Sequence, residues 1–266
     1  MLGERTGRQL PHPSVRGIDT MRIDIWSDIV CPFCYVGKRN LEQALAEFEH
    51  RDEVEVVWHS FELDPSATEH PAGSLPELIA GKYQMPLEQA IASQESLAEH
   101  ARKVGLDFNW RQARYGNTFD AHRVIHYASE QGLASAAQEA FKMAYFTEGR
   151  SVQDHESILD IASEIGLDTA EVEAVLKSDR YAADVRADEQ LAHQLGINGV
   201  PFFLIESKWA VSGAQPAEAL LQALRHVWEQ THQVEFLNPL AGAAGDAAGN
   251  NAAEAGPSCD VNGNCS

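Results

Sequence analysis

Cys31 and Cys34 enclose Pro32 and Phe33 in the sequence CPFC, which follows an apolar strand-like run and precedes a helix-like one. Proline is favoured at the first position of a helix, so Cys31 is the predicted N-cap. A thiolate there lies beside free backbone N–H groups and the positive end of the helix dipole, so we expect a lowered pKa at Cys31. Cys34 lies one turn later and could resolve a mixed disulfide by attacking it.

A zinc half-site and a pair of inert buried thiols are the alternatives for this motif. Zinc requires two further ligands. The other cysteines, Cys259 and Cys265, lie at the far end of the chain, and His122 and His126 are four residues apart without an HExxH sequence. The spacing therefore favours a redox pair, and we predict no metal site.

Cys259 and Cys265 form a second pair, Cys-x5-Cys, in residues 234–266, a segment rich in Ala, Gly and Asn that we predict to be disordered. A flexible coil of about 22 residues, the length from Leu237 to Cys259, spans about 26 Å. The tail could therefore reach Cys31. We hypothesise that it is a second dithiol that exchanges electrons with the first, and the alternative is a passive tail.

The elements around CPFC predict a β–α–β unit. Residues 21–26 alternate between apolar and polar and indicate a strand. Apolar residues at helical spacing after the cysteines predict a helix to about His50, and the β-branched and aromatic run at 53–61 predicts a second strand. Such a unit implies parallel strands and a right-handed crossover.

The rest of the chain divides into a helical stretch and a second β region. Residues 74–196 show helical periodicity almost throughout, with several glycine stops. Two strands are predicted at 201–207 and 208–213, and an amphipathic helix at 215–233. The plan is a small mixed sheet with helices on both faces and a helical insertion.

Composition limits the classes of partner. The chain has 266 residues, 44% of them hydrophobic, and a formal net charge of −20. Such a surface repels nucleic acid and anionic lipid, so we predict neither as a partner. We find no membrane span and no signal-like apolar core, and therefore expect a cytoplasmic location. Residues 1–20 are predicted to be a flexible extension, or Met21 to be the physiological start.

The segment from Met21 to Gln233 resembles the DsbA-like branch of the thioredoxin superfamily, and within it the cytoplasmic FrnE-like oxidoreductases. The resemblance rests on CPFC, WHSFELDP, NTFDAHRVIHYA, INGVPFFLIES and VSGAQP. It implies an α/β fold, thioredoxin-like, with a large all-helical insertion. Residues 21–65 and 197–233 would form the discontinuous thioredoxin-like domain, and 66–196 the inserted domain.

The resemblance also implies roles. Cys31 would be the nucleophile and Cys34 the resolving thiol. Pro201 would be a cis proline packed against the pair, and the backbone of Val200 would bind an extended substrate segment; an ordinary strand-initiating proline is the alternative. Phe33 stands where strongly oxidising members carry histidine, so we expect a less oxidising centre.

Three polar residues are weaker candidates for the site. Asp28, three residues before Cys31, could tune the thiolate or shuttle a proton, and the alternative is a solvated loop carboxylate. His59 and His122 could line the site, and a structural role is the alternative for each.

Four aromatic residues could form an apolar wall that binds peptides. These are Trp26, Phe33, Trp58 and Phe119. Core packing is the default for such side chains.

The function predicted is a thiol–disulfide oxidoreductase or isomerase acting on protein disulfides. It needs no metal or organic cofactor, and glutathione or a thioredoxin system is the candidate reductant. One alternative is a glutathione-dependent transferase or isomerase of the kappa-like branch, in which a serine stands at the position of Cys31. Another is a redox-regulated, chaperone-like binding protein. A reducing cytosol favours reduction or isomerisation over net oxidation.

Overall fold

A computed structural model describes residues 20–68 and 72–232. The predictions made for the N-terminal extension and for the tail with Cys259 and Cys265 lie outside the described residues. Within the described part no helix is long and apolar enough to cross a membrane.

Four strands of the described residues form one mixed sheet. They are β1 (Met21–Ser27), β2 (Val54–Ser60), β3 (Phe202–Ile205) and β4 (Trp209–Ser212). The spatial order is β2-β1-β3-β4, with β1 parallel to β2, antiparallel to β3, and β3 antiparallel to β4. The predicted parallel β–α–β unit is confirmed, and β1 is the inner strand that leads into the cysteine pair.

The second predicted strand pair is shorter than expected. The strand predicted at 201–207 ends at Ile205, because Glu206 and Ser207 adopt left-handed backbone angles, with φ of 51° and 54°. These residues form the turn that reverses the chain into β4.

Two helices pack together against the sheet. They are α1 (Pro32–Glu47) and α9 (Ala217–Thr231). Leu41 and Ala44 of α1 join Leu220 and Leu224 of α9 in one buried apolar cluster with residues of β1 and β3. The helix predicted to reach His50 ends three residues earlier, where the backbone becomes extended at Phe48.

The chain between β2 and β3 is helical, as predicted, and we call α2–α8 the helical segment. Its members are α2 (Leu75–Tyr83), α3 (Leu87–Arg102), α4 (Phe119–Glu130), α5 (Ala134–Met143), α6 (His155–Glu164), α7 (Thr169–Leu176) and α8 (Ala182–Gln194). A π-helical turn at Ala144–Glu148 continues α5. The predicted domain boundaries at 65/66 and 196/197 stay predictions.

Helix α1 belongs to two apolar clusters. Ile29 and Val30 before it, and Tyr35 and Val36 in its first turns, are buried with side chains of the helical segment. Leu41 and Ala44, further along the same helix, are buried with the sheet. The cysteine pair therefore lies where the two clusters meet.

Candidate functional site

Cys31 is the N-cap of α1, as predicted. Its backbone is extended, with φ −84° and ψ 114°, and Pro32 occupies the first turn. The carbonyl of Cys31 accepts hydrogen bonds from the N–H groups of Cys34 and Tyr35, at 3.1 and 3.4 Å. Both cysteines are free thiols, and their exposed fractions are 4% for Cys31 and 1% for Cys34. The motif thus places both sulfurs at the helix N-terminus.

The loop before β3 lies against Cys31. The Val200–Pro201 peptide bond is cis, as the resemblance implied. The thiol of Cys31 donates to the carbonyl oxygen of Val200, with Sγ and O 3.6 Å apart. The structure therefore brings Cys31, Val200 and Pro201 together although 169 residues separate Cys31 from Val200.

Gly37 allows this loop to approach α1. A Cβ atom at Gly37 would lie 2.8 Å from Cγ of Pro201 and 3.4 Å from Cζ of Phe203. The first distance is shorter than any ordinary van der Waals contact. Sequence reasoning missed Gly37, although a glycine inside a helical run was the available signal.

The two thiols titrate as a pair. The hydrogen bond with Cys34, together with burial, raises the pKa of Cys31 well above its ordinary value. Burial also disfavours ionisation of Cys34, yet the thiol of Cys31, the ammonium of Lys142 and the hydroxyl of Ser27 lower the pKa of Cys34. The prediction of a lowered pKa at Cys31 is therefore wrong for the reduced pair, in which the lowered pKa belongs to Cys34.

Asp28 is a buried carboxylate behind the pair, so a solvated loop carboxylate was the wrong alternative. Its exposed fraction is 1%. The carboxylate accepts hydrogen bonds from N–H of Ile29 (2.7 Å), N–H of Leu63 (2.8 Å) and the hydroxyl of Thr118 (3.0 Å). Nε2 of His122 lies 3.3 Å from Oδ1. Burial would raise the pKa of Asp28, but His122, Leu63 and Thr118 lower it.

His122 and His59 lie in different networks. His122 is fully buried on α4 beside Asp28, so it belongs to the surroundings of the pair. His59 contacts Asp24 and Asp188 at 2.8 and 2.6 Å and stacks on Trp26 with ring centroids 4.5 Å apart. His59 therefore joins β2 to α8 and is part of a structural contact.

The four aromatic candidates do not form one exposed wall. Phe33, two residues after Cys31 in the motif, is 50% exposed. Trp26 is buried in a cluster with Ala192 and Ile197, and Nε1 of Trp58 donates to the hydroxyl of Ser135 at 2.8 Å. Core packing was thus the correct alternative for Trp26.

Lys142 of α5 is a second buried charged residue that sequence reasoning missed, and its charge helps to lower the pKa of Cys34. Its side chain is fully buried, and its ammonium donates to Oε1 of Gln138. It lies 6.0 Å from the ring centroid of Trp58. Burial lowers the pKa of Lys142 to about 8. A lysine in an amphipathic helix ordinarily indicates a solvated position, so the sequence carried no signal for this placement.

The described residues include no group of three or more His, Cys, Asp or Glu side chains placed to hold a metal ion. The arrangement has two sulfurs, a helix N-terminus and an adjoining cis proline. Chemically it can carry out thiol–disulfide exchange.

Comparison with known proteins agrees with this chemistry. A model of the DSBA-like thioredoxin domain matches residues 22–225. The chain is 30% identical over 188 residues to the uncharacterized protein YwbO of Bacillus subtilis, covering 70% of this chain and 87% of YwbO. Its sequence is 42% identical to that of a probable DsbA oxidoreductase from Streptomyces coelicolor, whose crystal structure it matches with a TM-score of 0.77. The match covers 92% of this chain and 98% of that one.

The structure also resembles the cytosolic disulfide reductase DsbM of Pseudomonas aeruginosa, which was solved with GSH. The TM-score is 0.53 at 19% identity, and the match covers 77% of this chain and 98% of DsbM. At this identity the likeness shows the fold. The narrower FrnE-like assignment stays a prediction.

Proposed function

Since the chain belongs to the family of DsbA-like thioredoxin domains, which are thiol–disulfide oxidoreductases, we propose that Cys31 and Cys34 are its redox centre and that it reduces or isomerises protein disulfides. One observation carries the proposal: Sγ of the N-capping Cys31 lies 3.6 Å from the carbonyl of Val200, next to the cis proline. A nucleophilic sulfur and a backbone that can bind substrate thus lie side by side.

In the first step Cys31 attacks a substrate disulfide. The proton of Cys31 passes to Cys34, and the thiolate of Cys31 is stabilised by the helix N-terminus. Its sulfur forms a bond to one substrate sulfur, the substrate S–S bond breaks, and the leaving sulfur takes the electron pair and then a proton. The product is a mixed disulfide between Cys31 and the substrate.

In the second step Cys34 loses its proton and attacks Sγ of Cys31. The Cys31–Cys34 disulfide forms, the mixed disulfide breaks, and the second substrate sulfur leaves with the electron pair and takes up a proton. The substrate is reduced by two electrons and the pair is oxidised. When a second substrate thiol attacks the mixed disulfide instead, the substrate is isomerised and the pair returns reduced.

Substrate binding is proposed at Val200, Pro201 and Phe33. An extended peptide that pairs with the backbone of Val200 would bring its own cysteine next to Cys31. The exposed ring of Phe33 offers an apolar contact beside the sulfur.

The reductant and the location are further parts of the proposal. We propose glutathione or a thioredoxin system as the donor that reduces the Cys31–Cys34 disulfide, and the cytoplasm as the compartment. DsbM, which shares the fold, is a cytosolic reductase solved with GSH. A reducing compartment favours the reductase or isomerase direction.

The test is a titration of the full chain in glutathione buffers, with alkylation of all four thiols resolved by mass. We expect one reversible two-electron transition that joins Cys31 to Cys34. Cys34→Ser should accumulate the mixed disulfide, and Cys31→Ser should abolish insulin reduction. The matched control, Cys259→Ser with Cys265→Ser, should retain the transition.

Two results would overturn the proposal. One is the absence of a Cys31–Cys34 disulfide at every glutathione ratio. The other is full activity of the Cys31→Ser variant, which would instead favour the chaperone-like alternative, since a binding protein tolerates loss of the nucleophile.

A further inference from the structure

The segment that joins β4 to α9, residues 213–216, is bound at two points, and we call it the β4–α9 loop. The N–H of Gly213 donates to the carbonyl oxygen of Pro201 at 2.8 Å. Nδ2 of Asn40, on α1, donates to the carbonyl oxygen of Gln215 at 2.8 Å. The loop, part of the sequence VSGAQP, therefore ties the cis proline to the helix that carries the cysteines.

Pro201 depends on this loop because proline has no backbone N–H. Phe202 lies opposite Ser212 in the β3–β4 ladder, which puts Pro201 opposite Gly213. A residue with an N–H could donate to the carbonyl of Gly213 there, but proline cannot. That carbonyl accepts instead from the N–H of Gln215, at 2.9 Å. Gly213 thus binds Pro201 through its N–H and Gln215 through its carbonyl.

The backbone of Gly213 favours glycine at this position. Its φ is 77°, in the left-handed region that residues with a side chain rarely adopt. A Cβ atom would have room, since the nearest atom, Nε2 of Gln215, lies 4.0 Å away. A substitution would therefore disturb the loop through the backbone angle and not through a clash.

Asn40 is placed to hold the loop against α1. Its exposed fraction is 6%. It follows Gly37 by three residues, so the two lie on one face of the helix. A Cβ atom at Gly37 would lie 2.8 Å from Cγ of Pro201, which shows how closely this face approaches the proline. The same face thus contacts the proline at Gly37 and holds the β4–α9 loop through Asn40.

These contacts close a ring that begins and ends on α1. Sγ of Cys31 donates to the carbonyl oxygen of Val200 at 3.6 Å. From Val200 the ring runs through the proline and the β4–α9 loop to Asn40. Removing the amide of Asn40 would open the ring without altering Cys31, Val200 or the proline.

We propose that Asn40 is a positioning residue for polypeptide substrates, and that it acts by fixing the backbone of Val200 at its distance from Cys31. The inference rests on the function proposed above, in which an extended peptide pairs with Val200. A peptide gains most from this pairing when the loop is already fixed, because a mobile loop loses conformational freedom on binding. A small disulfide that does not pair with the loop has no such requirement.

The first experiment compares Asn40→Ala with wild type on two substrates, a peptide dimer joined by one disulfide and hydroxyethyl disulfide. For the peptide we expect KM to rise about fivefold and kcat to change less than about twofold, because one hydrogen bond that fixes the loop is lost. For hydroxyethyl disulfide the rate should change less than about twofold. A merely structural role for Asn40 would lower the stability to urea and leave KM for the peptide unchanged.

The matched control is Gln43→Ala. Gln43 is an exposed amide on the same helix, three residues after Asn40. Its loss should change KM for the peptide less than about twofold. A rise in KM equal to that of Asn40→Ala would overturn the inference, since it would trace the effect to the helix in general.

The second experiment disturbs the ring from its other side. Gly213→Ala should raise KM for the peptide about as much as Asn40→Ala, because alanine disfavours the left-handed backbone angle. Gly213→Asn should stay within about twofold of wild type, because asparagine tolerates that angle better. The variant that combines Asn40→Ala with Gly213→Ala should be little worse than either alone, since both open one ring.

The outcomes separate this inference from the proposed function. An unchanged KM in Asn40→Ala, or equal effects on the peptide and on hydroxyethyl disulfide, would overturn the role of Asn40 and leave the redox centre intact. If Asn40→Ala does not fold, the two Gly213 variants decide, and equal KM values for them would overturn the inference. Failure of the wild-type chain to reduce either substrate would overturn the proposed function as well.

Discussion

The helical segment has two buried charged sites that are built in opposite ways. At the first, the carboxylate of Asp188 on α8 contacts His59 at 2.6 Å, accepts from N–H of Ser60 at 2.8 Å, and lies 3.2 Å from Nε2 of His126. At the second, the ammonium of Lys142 on α5 has one hydrogen bond within the described residues, to Gln138 of the same helix. Both groups are largely or fully buried.

The number of hydrogen-bonding partners indicates how strongly each site responds to its surroundings. A buried charge with several fixed partners keeps the same energy whatever the redox state, so the contact at Asp188 can hold α8 on β2 permanently. A buried charge with one neutral partner responds to any change of charge nearby. The following experiments test the contact at Asp188 and then the surroundings of the cysteine pair, from the largest expected effect to the smallest.

Asp188→Ala should break the saturated contact. We expect the free energy of unfolding to fall by about 4 kcal/mol, because protonated His59 and N–H of Ser60 lose their shared acceptor. The equilibrium with glutathione should change less than about twofold, since the cysteine pair is not involved. Urea unfolding at neutral pH measures the first quantity and the glutathione titration measures the second.

Asp184→Ala is the matched control for that experiment, because Asp184 is an exposed acid on the same helix. Its loss should cost about 0.5 kcal/mol. Equal losses of unfolding free energy in the two variants would show that the contacts of Asp188 contribute no more stability than those of an exposed acid.

Alkaline pH should weaken the same contact. Burial alone would lower the pKa of His59, but Asp188 and Asp24 raise it to about 9. The stability that protonated His59 contributes is complete below its unfolded pKa of about 6.5 and is lost as the pH rises through about 9. We expect a loss on the order of 3 kcal/mol over this range.

The measurement is urea unfolding from pH 6 to pH 10 in wild type and in His59→Gln. The variant should lack the decline that belongs to His59. If its stability falls with pH as steeply as that of wild type, the decline belongs to another group.

Gly37→Ala tests whether contacts at the cysteine pair depend on close packing. The added methyl would push against Pro201 and move the loop that carries Val200 away from Cys31. We expect a loss of about 2 kcal/mol in unfolding free energy and a slower reduction of insulin.

Gly81→Ala is the control, since Gly81 also lies within a helix but has no atom within 4 Å of the added Cβ. It should be neutral or stabilising, because alanine is the better helix former. A stable, fully active Gly37→Ala protein would contradict the packing argument.

The tail pair should give the smallest effect. If Cys259 and Cys265 exchange with Cys31, replacing both with serine should slow the re-reduction of the Cys31–Cys34 disulfide about threefold, because tethered thiols act at high local concentration. Insulin reduction with limiting reductant measures this rate. An unchanged rate and an unchanged glutathione equilibrium would remove the tail from the mechanism.

The parts of the site that depend on local sequence could be predicted. Pro32 marks the start of α1, and therefore Cys31 as its N-cap, because proline fixes the first turn of a helix. The alternation in β1 and the β-branched run of β2 predict the parallel pair. The contact between Cys31 and Pro201 could be inferred from the family resemblance, since no local rule joins residues so far apart.

The charged surroundings could not be predicted, because they depend on which side chains meet after folding. Asp28 in a loop and Lys142 on a helix both have types that are usually solvated. His59 and Asp188 are 129 residues apart, and only the packing of α8 on β2 makes them partners. Trp26 was proposed for a surface wall and is 1% exposed, because β1 is an inner strand of the sheet.

Burial of the two sulfurs also limits their oxidation by peroxide. With 4% and 1% of their surfaces exposed, Cys31 and Cys34 meet small oxidants rarely, despite the lowered pKa of Cys34. A sulfenic acid formed on Cys31 has the thiol of Cys34 beside it and would condense to the disulfide before a second oxidant arrived. Under oxidative stress, we therefore expect the pair to stop at a state that ordinary reductants can reverse, rather than proceed to sulfinic or sulfonic acid.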